Sequence, residues 1–292
     1  LEKIRVVQPG SGERNFHIFY QLCKASDSNL RERLKLTTKC EDYTYLKTCV
    51  DVPGIDDERE FKDVEEAFAS LDFEEEEKNG MYDMVAAILA LGNVTFAETK
   101  PDECEAQQSG GTWLNDAADL LRLDRQALAS ALVHREVRIR GQEKTFANLD
   151  VHAASDSRHA LCKFVYGRMF DWLVERINIS MVKSTGKAVN TNGHANGGQH
   201  YIGILDIFGF EIFKSNSFEQ LCINFCNEKL QQHFNKNTFV LEEDTYKSEG
   251  IDFDHIEYID NQDVLDLIEK KPKGILVILD DEVSVPRGSD SG

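Results

Sequence analysis

Apolar and polar residues alternate along this chain with two different periods, and the change from one to the other marks its organisation. Leu1-Glu2-Lys3-Ile4-Arg5-Val6-Val7 reads as the tail of a strand, Gly10-Ser11-Gly12 as a loop, and Glu13 to Leu22 as a helix. Residues 24–60 mix helix and loop, with a turn at Val52-Pro53-Gly54. Phe61, Val64 and Phe68 then recur at helical spacing. The acidic run Glu74 to Glu77 predicts the first turn of the next helix, where carboxylates suit the positive end of the dipole. That helix continues through Met81 to Leu91, apolar on more than one face and therefore buried. Gly92-Asn93 ends it, Val94-Thr95-Phe96 reads as a short strand, and residues 97–112 as a polar surface loop. Leu114 to Leu123 and Arg125 to Val133 predict two short helices. The charged stretch 135–146, with Gly141 inside it, predicts an exposed hairpin. A long amphipathic helix is expected from Ser155 or Asp156 to about Met181, burying Leu161, Phe164, Val165, Phe170, Leu173, Val174, Ile177 and Met181. Lys183 to Gln199, rich in Gly, Asn, Thr and Ser, reads as a flexible surface insertion.

The helical period then gives way to a continuous apolar run, Tyr201-Ile202-Gly203-Ile204-Leu205-Asp206-Ile207-Phe208-Gly209-Phe210-Glu211. Such a run predicts a buried strand in a sheet covered on both faces, with Asp206 at its carboxyl end, where ligands of open α/β sheets bind. Gly209 lacks a side chain, so its backbone N–H can approach a phosphate oxygen. Asp-x-x-Gly is a pattern by which P-loop NTPases hold Mg²⁺ and sense a γ-phosphate, although alone it more often describes an Asp-capped turn with a turn glycine. Ser217 and Gln220 form a capping box. The helix they open is expected to reach about Glu243, roughly 40 Å at 1.5 Å per residue, packing through Phe218, Leu221, Phe225, Leu230 and Phe234. Cys222 and Cys226 share a helical face near His233, but no fourth metal ligand accompanies them and they read as small hydrophobes. Asn261 to Lys270 predicts another helix, followed by a turn at Lys271-Pro272-Lys273-Gly274.

Composition narrows the class. The 292 residues are enough for one large domain or two ordinary ones, and a net charge of −19 argues against nucleic acid as partner. Seven cysteines at irregular spacing fit a reducing compartment better than a disulfide scaffold. No apolar run approaches the ~20 residues needed for a membrane span. Gly186-Lys187 is not a phosphate loop, because neither the first Gly of G-x-x-x-x-G-K nor a following Ser or Thr is present. Both ends read as cut, so an internal piece of a larger protein is expected.

Asp206-Ile207-Phe208-Gly209-Phe210-Glu211, followed by Ser217-Phe218-Glu219-Gln220-Leu221-Cys222-Ile223-Asn224 and Asn227-Glu228-Lys229-Leu230-Gln231-Gln232, resembles switch II and the relay helix of the myosin motor domain. The resemblance extends over nearly the whole chain and implies a helix-rich α/β fold, part of a myosin/kinesin-like P-loop NTPase motor domain. It implies an upper 50-kDa subdomain at 1–182, a surface loop at 183–200, and switch II, relay and the start of the lower 50-kDa subdomain at 201–292. By the same resemblance Asp206 would hold Mg²⁺ through a water and Gly209 would donate to the γ-phosphate of ATP. Glu211 would pair with an Arg of a switch I that is absent here. Ser217, Phe218, Asn227 and Phe253, the last where many relatives carry Trp, would relay the movement to a converter. The charged hairpin resembles a loop that projects onto actin. Counting back from Arg158-His159-Ala160-Leu161-Cys162-Lys163, which departs from the family pattern at His159, places a regulatory acidic position at Glu143, flanked by Arg140 and Lys144. Pro272 and Lys273 would face the actin filament from the lower subdomain, Lys273 standing where several relatives carry Met. The resemblance further implies light chains or calmodulin on a neck not present here, and a cytoplasmic, cytoskeletal location. The rival reading is a degenerate head that only binds actin or a scaffold. A kinesin is disfavoured by the residues after Glu211.

Overall fold

Helix α4 (Glu75–Gly92) is the apolar centre of the first half of the protein. Every residue from Val85 to Gly92 is buried, as is the pair Met81 and Tyr82. Its start is the acidic run, where Glu74 and Glu77 form a reciprocal capping box. This is seen in a computed structural model that describes residues 2–10, 12–107, 112–137, 145–185 and 205–284, with side chains of the long helix described to 181. The chain divides into two units, Leu1–Gln199 and His200–Gly292, each taken by itself below.

In the first unit α4 is surrounded by α1 (His17–Lys24), α5 (Trp113–Leu121) and α7 (Val151–Thr185), while α3 (Asp57–Ser70) packs on α1. α2 (Ser28–Arg33) and α6 (Arg125–Val133) are each capped by the Asp before them, Asp27 and Asp124. Gly92 permits the tightest approach, since a Cβ there would lie 2.6 Å from the Tyr45 ring. Two arginines close the unit. Arg14, buried, gives one terminal nitrogen to both carboxylate oxygens of buried Asp57 at 2.8 Å and lies 3.9 Å over the Tyr20 ring. Arg176 donates to both oxygens of Glu77, at 2.8 and 3.0 Å, and to the Asp72 carbonyl, resting over Phe73.

Four sequence expectations change here. Lys3–Val6 is a turn of 3₁₀ helix, not a strand end: Val7 N–H bonds back to Ile4 O at 3.1 Å and Val6 is fully buried. Residues 97–112 are not simply loop, because β1 (Phe96–Lys100) pairs antiparallel with β2 (Glu103–Ala106), turning at Asp102 and burying Phe96 and Cys104. Helix α7 begins four residues early because Asp150 accepts from the Ala153 N–H at 2.8 Å. Its buried line is Ala154, Arg158, Cys162, Tyr166 and Met169, with Tyr166 stacked on Phe16 at 4.8 Å, whereas Phe164 is 65% exposed and Val174 and Met181 are also exposed. Burial pushes the Cys162 thiol up to about 11. Burial and the neighbouring Arg158 hold His159, which accepts from Arg158 at 2.6 Å, below its ordinary value. The expected hairpin is present as β3 (His134–Val137) and β4 (Thr145–Asn148), whose connecting residues lie outside the described ones.

The second unit is helical: α8 (Phe218–Asn235), a π-helical segment Lys236–Val240, α9 (Leu241–Glu249), α10 (Gln262–Glu269) and α11 (Ile275–Ser284). The described strands of the chain form only two two-stranded antiparallel sheets. The doubly covered sheet expected around 201–211 is therefore not seen: Tyr201 to Ile204 lie outside the described residues, and Leu205 to Phe213 make no strand pairing.

The Arg14–Asp57 pair yields a direct test. Asp57→Ala leaves a buried guanidinium without its counter-charge and is expected to cost about 3–5 kcal/mol, read as a lower urea midpoint for the first unit; a loss below about 1 kcal/mol would show the pair to be dispensable.

Candidate functional site

The loop 205–217 runs along the start of α8 with its side chains outward. Asp206 and Gly209 are exposed, as are Leu205, Ile207, Phe208, Phe210, Ile212 and Phe213. Nothing lies within 4 Å of the position a Cβ would take on Gly209, so its backbone is open to an incoming group. Since the loop does not bury its apolar side chains, polar contacts decide its course. Asn224 accepts from the Glu211 N–H at 2.8 Å and donates to the Glu211 carbonyl at 2.8 Å. Asn227 donates to the Phe208 carbonyl at 2.9 Å and to the Ile223 carbonyl of its own helix at 2.9 Å. Asn216 holds Phe213 in the same two-bond manner, at 2.9 Å for each bond. The Glu211 carboxylate receives a long contact from Gln220 at 3.4 Å.

Helix α8 starts at the Ser217 cap, where the Gln220 side chain accepts from the Ser217 N–H at 2.9 Å. The helical run then continues without a break from Phe218 to Glu249, further than Glu243, because the π segment widens the coil without ending it. Its length is roughly 45 Å. Gly250, with φ of +69°, terminates it as a left-handed cap. The expected packing residues differ: Phe218 and Phe234 are 51% and 54% exposed, while Gln220 and Asn235 are the buried ones in α8. The polar face is held by the segment before α10, where Asn261 donates to the Glu228 carbonyl at 2.8 Å and to its carboxylate at 2.6 Å. Lys229 pairs with Glu269. At the far end, Phe253 packs on Tyr246 with ring centroids 5.5 Å apart, and His255 contacts Glu243 at 2.6 Å.

The turn between α10 and α11 exposes Pro272 and Lys273. Gly274 closes it against backbone, since a Cβ there would lie 2.7 Å from Glu269 C and Lys270 N. The Lys270 ammonium, with help from Gln262, holds the Asp266 carboxyl below the usual carboxylate range. Arg140, Glu143 and Lys144 lie outside the described residues. Cys222 and Cys226 are exposed rather than packed, and desolvation, with Glu219 nearby, raises the Cys222 thiol. Among the described residues no group of three metal-ligating side chains comes together, and no helix is long and apolar enough to cross a membrane.

The structure thus ties Asp206, Gly209 and Glu211 through their loop to Asn227 and Ser217 of one helix, and gives Phe253 a place at the other end of that run. Asn224 and Asn216 were missed as tethers. Their signal was an Asn placed one turn from Asn227, and an Asn directly before the capping Ser.

All 292 residues match the family model described as Myosin head (motor domain). The chain is 43% identical over 292 residues to Myosin-2 of Arabidopsis thaliana, covering 99% of this chain and 23% of that protein. It is 44% identical over 288 residues to Unconventional myosin IC of Drosophila melanogaster, covering 98% and 27%. Unconventional myosin-Ic of Aquarana catesbeiana is 41% identical over 288 residues with the same coverage. The chain spans about a quarter of the length of these relatives.

Gly274→Ala forces a methyl into backbone and is expected to destabilise the α10–α11 turn by about 1–3 kcal/mol, measured as faster amide exchange at Gly274 and Lys270; unchanged exchange would refute the close approach.

Proposed function

The chain belongs to the myosin head (motor domain) family, and from that premise we propose that it works within an actin-based motor whose ATP hydrolysis moves it along actin filaments. The observation that carries this reading is an exposed carboxylate and an open glycine backbone, tethered by amides to one unbroken helical run. A local change at the first end has a physical route to the other, because a hydrogen-bonded helix moves as a rod. Residues 1–182 act as the upper 50-kDa subdomain, 183–200 as a surface loop, and 201–292 as switch II, relay and the start of the lower 50-kDa subdomain.

The exposed Asp206 carboxylate has the hard oxygen chemistry that suits the hydration shell of Mg²⁺, and nothing crowds the Gly209 backbone where a phosphate oxygen would be met. Asp206 would hold Mg²⁺ through a water, Gly209 would donate its N–H to the γ-phosphate of ATP, and the metal would neutralise charge developing on the transferred phosphoryl. Glu211 completes the closed state by pairing with an Arg of switch I, closing a lid that positions the attacking water. Arg140, Glu143 and Lys144 of the hairpin, and Pro272 and Lys273 of the lower turn, face the actin filament. Glu143 supplies a permanent charge where a hydroxyl would need phosphorylation, and Lys273 offers a cation to an acidic partner. Light chains or calmodulin bind a neck, and the protein acts in the cytoplasm on the cytoskeleton.

The 292 residues hold no Gly-x-x-x-x-Gly-Lys-Ser/Thr, so the backbone cradle and Lys that supply most phosphate affinity must come from elsewhere in the motor. The chain alone is expected to turn over no ATP, and actin-stimulated turnover by it would overturn that part. In the complete motor, Asp206→Ala and Gly209→Ala should each lower actin-activated ATPase by about 10²-fold or more. The glycine variant meets nothing within 4 Å in this structure and so tests the site and not the fold. Wild-type turnover in both variants would overturn the roles given to these two residues, whereas a complete motor that hydrolyses no ATP would leave only actin binding or a scaffold role.

A further inference from the structure

We propose that Cys23 and Cys40 form a buried dithiol that a hydroperoxide oxidises to a disulfide, clasping the connector that carries α2. Cys23 stands in the last turn of α1, and Cys40 opens a 3₁₀ turn, Cys40–Asp42. Both are fully buried and unbridged, in the same apolar core. A buried thiol ordinarily packs as a small hydrophobe. Here two of them meet, the Cys23 thiol donating to the Cys40 sulfur. Cys162 differs, since the Tyr45 hydroxyl donates to it at 3.7 Å. The burial of Cys23 and Cys40 belongs to the core of the first unit itself, so further chain around that unit leaves it intact.

The contact makes the two sulfurs unequal. The Cys23 S–H stabilises a thiolate on Cys40, and the Lys24 ammonium adds to this, holding the Cys40 thiol below its ordinary value although burial, Asp57 and Glu41 work against it. The same bond, with burial, raises the Cys23 thiol. The thiolate is the nucleophile of sulfur chemistry, so Cys40 attacks first. Its sulfur breaks the O–O bond of the hydroperoxide, an alcohol leaves, and Cys40 becomes a sulfenic acid. The Cys23 sulfur then attacks that sulfur, the S–O bond breaks as the S–S bond forms, and water leaves with the Cys23 proton. Two thiols have lost two electrons and two protons, and the hydroperoxide has gained them as an alcohol and a water.

Entry is local. Cys40 follows Thr38 and Lys39, which are exposed, and the Thr37 N–H donates to the Tyr43 hydroxyl at 2.9 Å. Opening of that short stretch admits a molecule as small as hydrogen peroxide without unfolding α1. The loop so closed contains all of α2, whose Arg33 pairs with Asp83 of α4, and also Lys35, which pairs with Asp116 and Asp119 of α5 at 2.9 and 2.7 Å. A cross-link at its two ends takes freedom from the connector. A disulfide of this kind suits the reducing compartment read from the cysteine spacing, where protein disulfides are transient and redox-sensing.

The test uses the complete motor, fully reduced, then exposed to hydrogen peroxide, with remaining thiols alkylated before digestion and mass spectrometry. A peptide pair linking Cys23 to Cys40 is expected in most chains and is lost after dithiothreitol. Amide exchange across residues 24–39 is expected to slow about tenfold on oxidation. Cys23→Ser should leave Cys40 as a sulfenic acid trapped by dimedone, whereas Cys40→Ser should leave Cys23 unlabelled at the same peroxide dose. Wild-type protein that returns both residues alkylated, or pairs either with another cysteine, overturns the site, and that measurement needs no variant to fold. A linked pair with unchanged exchange overturns the clasp, and equal dimedone labelling in the two variants overturns the order of attack. None of these readouts uses ATP turnover, so the dithiol and the function proposed above fail separately.

Discussion

The second unit depends on side-chain amides closing onto backbone. The loop 205–217 exposes Leu205, Ile207, Phe208, Phe210, Ile212 and Phe213, and side-chain amides hold it against α8. Three asparagines, at 216, 224 and 227, do that work by satisfying backbone groups of Phe213, Glu211 and Phe208. Amides suit the role because one side chain can both donate and accept. Asn261 adds a further amide tie, donating to both the backbone and the side chain of Glu228 and so fixing the segment before α10 to α8.

The first unit is held differently. Its centre is a helix buried from Val85 to Gly92, and two arginines carry ion pairs at its margins. Arg14 is committed to Asp57 and stacked on Tyr20, and Arg176 ties the carboxyl half of α7 to the start of α4 and to the corner after α3. In each pair one guanidinium nitrogen reaches both oxygens of the carboxylate while the group lies over an aromatic ring, Tyr20 for Arg14 and Phe73 for Arg176.

The helical run from Phe218 to Glu249 is interrupted by a π segment and by no break. A π turn widens the coil and shifts the faces of the two flanking α-helices relative to each other. Phe239 and Tyr258 stack beside it at 5.2 Å, and Phe253 lies against Tyr246 beyond it. Aromatic contacts therefore anchor the far part of the run, where the near part is anchored by amides.

Much of this was legible in the residues themselves. The acidic run at Glu74 to Glu77 had to start a helix, because carboxylates belong at a positive helix end, and the apolar stretch after it had to be buried. Ser217 and Gln220 had to cap, because that pair satisfies free N–H groups locally. The family too was readable, since Asp206 to Glu211 and the residues after Ser217 form a long specific pattern. What the chain alone did not reveal depended on partners distant in sequence. Residues 97–106 pair as a hairpin only because Cys104 finds the core. Helix α7 presents Tyr166 rather than Phe164 inward because Phe16 and Phe19 wait there. Asn224 becomes a tether only once α8 and the loop lie side by side. Capping, periodicity and motif act within a few residues and so are written in order along the chain; which face is buried and which amide meets which backbone group are set by what another segment brings, and only the folded arrangement decides them.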